Sequence, residues 1–258
     1  MTLREQMATL GIRFRLAAGV LTRRKYVSWG QHAWLDIRAL LQARGAPLDA
    51  RCVVFDAGAN RGQTAKEIRR WLPRVELHCF EPAPETFQRL RANVNDAMLH
   101  PYGLGRRVGM HRMDRSANDL TSRVLQDSDV EDDPSLFIDV SLSTVDAELE
   151  KHGLDRLDVL KVDVEGQEIA VLEGADRALS EGRIDLILIE ARFGSAGASW
   201  HIPLEDILKH LEPRGFRTMA AYTHATWLDT GINDADVLLM RVEGQPHTYL
   251  RSPLVAIS

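Results

Sequence analysis

Leu157-Asp-Val-Leu-Lys-Val-Asp-Val-Glu-Gly-Gln-Glu168 begins as an apolar run and ends in a charged turn. The run Leu157–Val162 has the length and composition of a strand that is buried on both faces of a sheet. Gly166 would let the chain turn away from that strand into the helical pattern that follows. Comparable apolar runs occur elsewhere in the chain, at Cys52–Phe55, Val75–Phe80, Ile184–Ile189 and Asp236–Val242.

Helical patterns separate these runs, at Gln63–Trp71, Pro84–Asn93, Ile169–Leu179 and Leu204–Leu211. Strands that alternate with helices are joined by crossover connections, which produce parallel sheets covered by helices on both faces. The sequence therefore predicts the α/β fold class, with a Rossmann-like, doubly wound and mostly parallel sheet. Two further strands are predicted in the less regular middle of the chain, at Gly109–Met113 and Phe137–Ser141.

The first fifty residues differ from the rest of the chain in pattern and in charge. Apolar spacing predicts two helices there, over residues 3–17 and Trp29–Arg44. We therefore predict an N-terminal helical extension, 1–50, followed by a Rossmann-like domain, 51–258. The net charge of −5 is the sum of +6 over residues 1–51 and −11 over residues 52–258. This basic segment suggests that residues 1–50 contact a membrane surface or a protein partner.

Several classes of protein are disfavoured by the composition. No stretch approaches the roughly 20 apolar residues of a transmembrane helix, and the first residues lack the pattern of a secretory signal. Cys52 and Cys79 lie in predicted strands without a Cys-x-x-Cys pattern, which is typical of buried free thiols in a reducing compartment. These observations predict a cytoplasmic protein. The acidic body has no basic groove with interleaved aromatic residues, which argues against nucleic acid as a partner.

The stretch Asp56-Ala-Gly-Ala-Asn-Arg-Gly62 directly follows the first predicted strand of the sheet. Ligands of open α/β sheets bind beyond the carboxyl ends of the strands. Gly58 and Gly62 permit a tight turn and a close approach of the backbone to a ligand. Glu81 directly follows the next strand, and an acid at that distance suits hydrogen bonding to the two hydroxyls of a ribose. The sequence therefore predicts a nucleoside site.

The residues around this site favour one kind of nucleoside. A dinucleotide-binding loop reads Gly-x-Gly-x-x-Gly, whereas Asn60 stands here in place of the second glycine of such a loop. Two acids, Asp56 and Glu81, disfavour a phosphate and suit a ligand that carries a sulfonium and an ammonium group. We therefore predict that the cofactor is S-adenosylmethionine.

Three charged residues of the Leu157–Glu168 stretch are candidates for catalysis. Lys161, Asp163 and Glu165 alternate, so they share one face if the strand continues through them, and that face should be the reactive edge. Asp163 or Glu165 would act as general base on an acceptor hydroxyl, and Lys161 would keep them ionised. Alternatively, Asp163, Glu165 and Glu190 would hold Mg²⁺. A structural ion-pair network around Lys161 is the third alternative.

The chain resembles the FkbM-type methyltransferases from about residue 53 to residue 242. The motifs that carry the resemblance are Asp56-Ala-Gly-Ala-Asn-Arg-Gly62, Phe80-Glu81-Pro82, Leu142-Ser-Thr-Val-Asp146, Leu160-Lys-Val-Asp-Val-Glu-Gly-Gln-Glu168, Val171-Leu-Glu-Gly-Ala175 and Ile189-Glu190. The resemblance implies a Rossmann-like fold and an S-adenosylmethionine-dependent enzyme.

The resemblance also implies roles for particular residues. The methionine end of the cofactor would contact Asp56, Gly58, Asn60 and Gly62, and the ribose would contact Glu81. The acceptor would be a hydroxyl of a sugar, a glycan or a secondary metabolite. Two other functions are compatible with the same motifs: an NAD-dependent oxidoreductase, which Asn60 argues against, and a non-catalytic nucleoside-binding module in a glycan-assembly complex.

Overall fold

The computed structural model describes residues 25–27, 29–45, 50–114, 123–124, 137–193, 202–223, 226–227, 231–232, 234–242 and 255–257. The helix predicted over residues 3–17 lies outside the described residues. Most of the proposed partner-binding or membrane-binding segment, 1–50, lies outside them as well. The division of the chain at residue 50 therefore stays a prediction.

Fifteen strands are described. In chain order they are β1 (Lys25–Val27), β2 (Cys52–Ala57), β3 (Val75–Phe80), β4 (Met98–His100), β5 (Gly103–Leu104), β6 (Gly109–Asp114), β7 (Arg123–Val124), β8 (Phe137–Ser143), β9 (Leu157–Val162), β10 (Ile184–Arg192), β11 (Phe216–Thr223), β12 (Thr226–Trp227), β13 (Gly231–Ile232), β14 (Asp234–Arg241) and β15 (Val255–Ile257). The described helices are α1 (Ala33–Ala43), α2 (Gln63–Trp71), α3 (Pro84–Asn93), α4 (Val145–Lys151), α5 (Glu168–Glu173), α6 (Asp176–Ser180) and α7 (Leu204–Leu211), with a 3₁₀ turn at Glu212–Arg214.

The main sheet has seven strands in the order β11-β14-β10-β9-β2-β3-β4. Its strands are parallel except for β14, which is antiparallel to both of its neighbours. The strand order reverses at β2, because the chain runs outward from β2 to β4 and later returns to β9 on the other side of β2. Such a switch point opens a crevice at the carboxyl ends of the strands, where α/β proteins bind ligands. The predicted fold class is confirmed.

Both faces of this sheet are buried, since every residue of β2 is buried. On one face, Phe55 and Leu160 lie in a core that also includes residues of α4, α5, α6 and α7. On the other face, Val54 and Val159 lie in a core with residues of α1, α2 and α3. Because adjacent strand residues point to opposite faces, the near-continuous apolar runs predicted this arrangement. The helix α1 places Ile37 in the second core at 0% exposure.

A smaller sheet, in the order β5-β8-β6-β7, is built from the middle of the chain. The predicted strands at Gly109–Met113 and Phe137–Ser141 correspond to β6 and β8, which pair antiparallel. Two two-stranded pairs, β1 with β15 and β12 with β13, complete the described sheets. None of the described helices is both long and apolar enough to cross a membrane.

The element boundaries agree with the predictions at β3, β9, α2, α3 and α7. The single helix predicted over Ile169–Leu179 is wrong, because the chain forms α5 and α6 with a break at Gly174. A Cβ atom at Gly174 would lie 2.0 Å from the Gly105 carbonyl oxygen. The break therefore occurs where two backbones come into contact, which a local helical pattern does not report.

Candidate active site

The carboxyl ends of β2, β3 and β9 meet at the switch point of the main sheet. Asp56 of β2 lies opposite Lys161 of β9 on one side and Cys79 of β3 on the other. The loop after β2 contacts the end of β3, because the amides of Gly58 and Ala59 donate to the Phe80 carbonyl oxygen at 3.1 and 3.0 Å. The residues predicted to bind the cofactor are therefore gathered at one edge of the sheet.

A buried ion-pair network lies at the centre of this edge. The Lys161 Nζ lies 3.1 Å from Asp56 Oδ1 and 3.2 Å from Asp163 Oδ2, and it donates to the Gly58 carbonyl oxygen at 3.3 Å. Burial alone would lower the pKa of Lys161, but the carboxylates of Asp163, Asp56 and Asp236 outweigh burial and raise it above its ordinary value. Lys161 is therefore charged at neutral pH.

The two carboxylates that contact Lys161 differ in their exposure. Asp56 is 0% exposed, and burial raises the pKa of its carboxyl while the charge of Lys161 opposes that rise. The Asp163 side chain is 38% exposed, so its carboxylate can contact a ligand from solution. Lys161 thus holds one carboxylate inside the protein and one at the surface of the crevice.

The structure corrects the geometry predicted for the charged turn. The strand β9 ends at Val162, so alternation does not continue through Asp163 and Glu165. Glu165 adopts a left-handed backbone conformation with φ of 54°. Lys161 was predicted to face the crevice. It is instead only 4% exposed, and its ion pairs compensate for the burial of its charge.

Glu168, to which the sequence assigned no role, holds this turn in place. Its Oε1 accepts hydrogen bonds from the amides of Val164 and Gly166, both at 3.2 Å. Burial raises the pKa of the Glu168 carboxyl to about 7, although the two amides lower it. The sequence did contain a signal for this role. Glu168 stands at the start of a helix, two residues after a glycine, and such an acid can accept hydrogen bonds from free amides of the preceding turn.

The backbone of the loop after β2 requires glycine at position 58. Gly58 has φ of 78°, and a Cβ atom there would lie 1.8 Å from the Asp163 carbonyl oxygen. Gly62 has φ of 85°, and a Cβ atom there would lie 2.4 Å from the Val94 Cγ2. Asn60 is also left-handed, with φ of 48°, a conformation that asparagine adopts more readily than most residues.

We expect Gly58→Ala to lower the free energy of unfolding by about 2–4 kcal/mol, because left-handed strain adds to a backbone clash. The matched control is Gly153→Ala. Gly153 has φ of 61°, and a Cβ atom there would have no neighbour within 4 Å, so its substitution should cost only about 1 kcal/mol. Urea denaturation of both variants measures the difference. Equal losses for the two variants would contradict the clash at Gly58.

The carboxylate of Glu81 lies beside this loop, directly after β3. Its Oε2 accepts from the Asn60 amide at 3.0 Å, and its Oε1 accepts from the Ala83 amide at 2.9 Å. Glu81 is 6% exposed. Burial raises the pKa of its carboxyl to about 7, against the two backbone hydrogen bonds, which lower it. Glu81 therefore titrates near neutral pH.

The acidic residues predicted as a metal site are spread over two elements. Glu190 lies within β10, two residues before the end of this strand, where it is paired in register with Asp236 of β14. In the part of the chain that the structure describes, the oxygens of Asp163, Glu165 and Glu190 do not converge as a metal-binding group. The cation that the structure places against Asp163 is the Lys161 ammonium.

A seven-stranded sheet of this order, with a glycine-containing loop after β2 and an acid after β3, defines a Rossmann-like α/β protein. Within that class, residues 56–218 match the family described as "Methyltransferase FkbM domain". The chain belongs to this methyltransferase family, and the resemblance noted in the sequence is confirmed.

Three curated relatives also bear the name of methyltransferases. "Methyltransferase sdnD" of Sordaria araneosa is 28% identical over 163 residues, which cover 51% of this chain and 63% of that protein. "2-O-methyltransferase NoeI" of Sinorhizobium fredii is 28% identical over 146 residues, which cover 51% of this chain and 60% of that protein. "Methyltransferase 1" of Beauveria bassiana is similar at 29% identity. The matched region thus spans about three fifths of the length of these relatives.

Two solved structures are similar to this chain at low identity. The precorrin-6y C5,15-methyltransferase of Geobacter metallireducens is 14% identical, covers 80% of this chain and 87% of its own, and superposes with a TM-score of 0.42. The 1,6-didemethyltoxoflavin N1-methyltransferase of Burkholderia thailandensis, with bound S-adenosylhomocysteine, is 14% identical, covers 94% of this chain and 92% of its own, and has a TM-score of 0.41.

Proposed function

We propose that this chain is an S-adenosylmethionine-dependent methyltransferase that methylates a hydroxyl of a sugar, a glycan or a secondary metabolite. The observation that carries the proposal is the Glu81 carboxylate, held by two backbone amides at the switch point of a sheet that belongs to a methyltransferase family. The proposal of a hydroxyl acceptor is supported by the similarity to a relative that is named a 2-O-methyltransferase.

The residues around the loop after β2 fit such a cofactor. Each carboxylate oxygen can accept two hydrogen bonds, so Glu81 keeps one acceptor site on each oxygen for a ribose hydroxyl. The absence of a Cβ at Gly58 allows the loop to lie against the Asp163 carbonyl oxygen. We propose that Gly58, Asn60 and Gly62 contact the cofactor through their backbone, and that Asp56 acts indirectly by holding Lys161.

We propose Asp163 as the general base, because its carboxylate is the exposed end of the ion-pair network. S-adenosylmethionine would supply a methyl group bonded to a sulfonium. An Asp163 oxygen would accept the proton of the acceptor hydroxyl as that oxygen takes up the methyl group, and the thioether would be the leaving group. Lys161 orients the Asp163 carboxylate through their 3.2 Å contact. Glu165, on the same turn, is the alternative base.

A role for Mg²⁺ at this edge is less consistent with the contacts. The Lys161 ammonium lies 3.2 Å from Asp163 and supplies the positive charge that a metal ion would bring. We therefore propose the base role in preference to the metal role for Asp163, Glu165 and Glu190. Turnover is expected to be unchanged when Mg²⁺ is added, and an obligatory rise with Mg²⁺ would favour the metal role.

The proposal is tested by isothermal titration of the purified chain with S-adenosylmethionine and, separately, with NAD. We expect binding of S-adenosylmethionine and none of NAD. The reverse result would overturn the proposal and favour the oxidoreductase. Glu81→Gln removes the charge but keeps the side chain's size, so we expect binding about 10–100-fold weaker, the loss of about one charged hydrogen bond. Unchanged affinity in this variant would remove Glu81 from the site.

The affinity for S-adenosylmethionine should also depend on pH. The form of Glu81 that accepts hydrogen bonds from both ribose hydroxyls is the carboxylate, and its pKa is about 7. The carboxylate fraction rises with pH, so binding should strengthen between pH 6 and pH 8 and weaken by up to about tenfold per unit below 7. In Glu81→Gln this dependence should disappear. If the variant keeps the same dependence on pH, another group is responsible.

A further inference from the structure

A cluster of three histidines lies inside the face of the sheet covered by α4, close to the active-site edge but outside the proposed site. His78 is in β3, His100 is in β4, and His152 follows α4. One ring nitrogen of each lies within 4.8 Å of the others. His78 and His100 are 0% and 8% exposed. Neither the proposed methyl transfer nor the binding of its cofactor uses any of the three.

The facing ring nitrogens of His78 and His100 lie about as far apart as two nitrogens that bind the same metal ion. The His78 Nδ1 lies 3.2 Å from the His100 Nε2. Two nitrogens bound to one tetrahedral Zn²⁺ at 2.0–2.1 Å lie about 3.3 Å apart. The third ring, His152, has a buried Nε2 that finds no hydrogen-bond partner among the described residues, although the Glu148 Oε2 lies 3.3 Å away.

The hydrogen-bond network through these rings has fewer protons than contacts. The His78 Nε2 faces Glu76 Oε1 at 3.4 Å, and the His100 Nδ1 faces the Tyr102 hydroxyl at 3.0 Å. That hydroxyl also donates to Glu148 Oε2 at 3.0 Å. With the contact between the two rings, the chain from Glu76 to Glu148 contains four contacts. Two neutral imidazoles and one phenol supply three protons for these four contacts, and without an ion the fourth comes from the Lys151 ammonium, which donates to the Tyr102 hydroxyl and to Glu148.

A metal ion between the two rings would replace the hydrogen bond between them, so the proton of that hydrogen bond would no longer be needed. The His78 Nδ1 and the His100 Nε2 would both point lone pairs at the ion. The outer nitrogens would then carry the protons, so that His78 donates to Glu76 and His100 donates to Tyr102. Ligating histidines usually donate their second ring nitrogen to a carboxylate or another acceptor in this way.

The surroundings of His78 and His100 oppose an additional proton on either ring. Burial lowers the pKa of His100 to about 4, and the neighbouring rings of His78 and His152 lower it further. Burial also lowers the pKa of His78, against the carboxylate of Glu76.

We propose that His78, His100 and His152 bind one divalent transition-metal ion, for which Zn²⁺ is the best match, with Glu148 beside it. Three imidazoles and one oxygen suit a tetrahedral Zn²⁺. The Glu148 carboxylate supplies negative charge, and it is itself held by the Ser143 hydroxyl at 2.7 Å and by Lys151 at 3.1 Å.

The site would join three elements near the cofactor-binding edge. It connects β3 and β4 with the end of α4, and Glu81 lies three residues after His78. The Glu81 amide donates to the His100 carbonyl oxygen at 3.2 Å. A metal at the histidine cluster would therefore stabilise the strands that carry Glu81, as a structural site distinct from the crevice.

The test uses the full chain without a histidine tag, after dialysis against a chelator. Competition with a chromophoric chelator should show one Zn²⁺ bound per chain at sub-micromolar Kd. Co²⁺ should give the intense visible absorption of a tetrahedral complex. At a free Zn²⁺ concentration about 100 times Kd, the Tm should rise by about 5–10 °C. Failure to bind Zn²⁺, or an octahedral Co²⁺ spectrum, would overturn the proposal, whatever the protein does with S-adenosylmethionine.

Two variants locate the ion. His152 is half-buried, so His152→Gln should fold. This variant should weaken Zn²⁺ binding by at least about 100-fold. His210→Gln, on α7 and outside the cluster, is the matched control and should keep full affinity. Glu76→Gln replaces the charged acceptor of the His78 outer nitrogen by a neutral amide and should weaken binding by about 10–100-fold. If His152→Gln binds Zn²⁺ like the parent chain, or if His210→Gln loses the ion, the assignment of the site is wrong.

Discussion

Replacement of Lys161 by methionine is expected to lower the free energy of unfolding by about 3–5 kcal/mol. Methionine fills a similar volume, so the loss is electrostatic. The variant leaves the Asp56 carboxylate fully buried without the ammonium that lies 3.1 Å from it. Removing one partner of a buried ion pair costs this much because the remaining charge is uncompensated. Urea denaturation followed by circular dichroism measures the loss.

A double variant separates the charge from the packing. Lys161→Met combined with Asp56→Asn removes both members of the buried pair, and we expect it to recover at least half of the loss, since replacing a whole buried pair is often close to neutral. Lys209→Met is the matched control at an exposed pair, because Lys209 lies 2.6 Å from Asp206 at the surface of α7. It should leave the Tm unchanged. A single variant at Lys161 as stable as the parent would show that the network contributes no stability.

Asp163→Asn is expected to reduce turnover by about 10²–10⁴-fold, the usual contribution of a general base. Asparagine keeps the size and the hydrogen-bonding oxygen of the side chain but cannot take the proton of an acceptor hydroxyl. Because Asp163 is at the exposed end of the network, the Tm should change little, and the affinity for S-adenosylmethionine should stay within a few-fold of the parent value. The rate is measured by transfer of a labelled methyl group, with an acceptor found by screening sugars and polyketides.

Glu165→Gln is the matched comparison on the same turn. Full turnover in this variant, with the loss confined to Asp163→Asn, assigns the base to Asp163. The opposite pattern assigns it to Glu165, whose left-handed conformation gives its side chain a different direction. If both variants keep full turnover, neither residue is the base. The network around Lys161 is then structural, which is the third alternative that the sequence left open.

The sequence predicted most of the fold because its signals are local. Periodicity within β3, β9, α2, α3 and α7 predicted their bounds correctly. The positions of Gly58 and Glu81 directly after two strands also predicted that they meet at one edge of the sheet, since parallel strands end at the same edge. The helix over Ile169–Leu179 was the error, because its break at Gly174 depends on a backbone far away in the chain.

Formal charge in the sequence was only a partial guide to the cofactor. Counting Asp56 and Glu81 as two negative charges favoured a cationic cofactor. The structure places the Lys161 ammonium 3.1 Å from Asp56, so most of one negative charge is offset. Burial also raises the pKa of Glu81 to about 7, so this residue is partly protonated at neutral pH. S-adenosylmethionine is therefore favoured by the geometry of Glu81 and by the family, more than by net charge.

The sequence by itself determined that strands alternate with helices, and which residues follow each strand that it predicted, because both depend on neighbours within a few positions. Only the tertiary structure decided which charges meet. Asp56 and Lys161 are brought together by the register of β2 against β9. The three histidines converge because β4 pairs with β3 beneath α4. Such contacts depend on strand register and helix packing, which act between residues distant in the chain and leave no periodic signal in it.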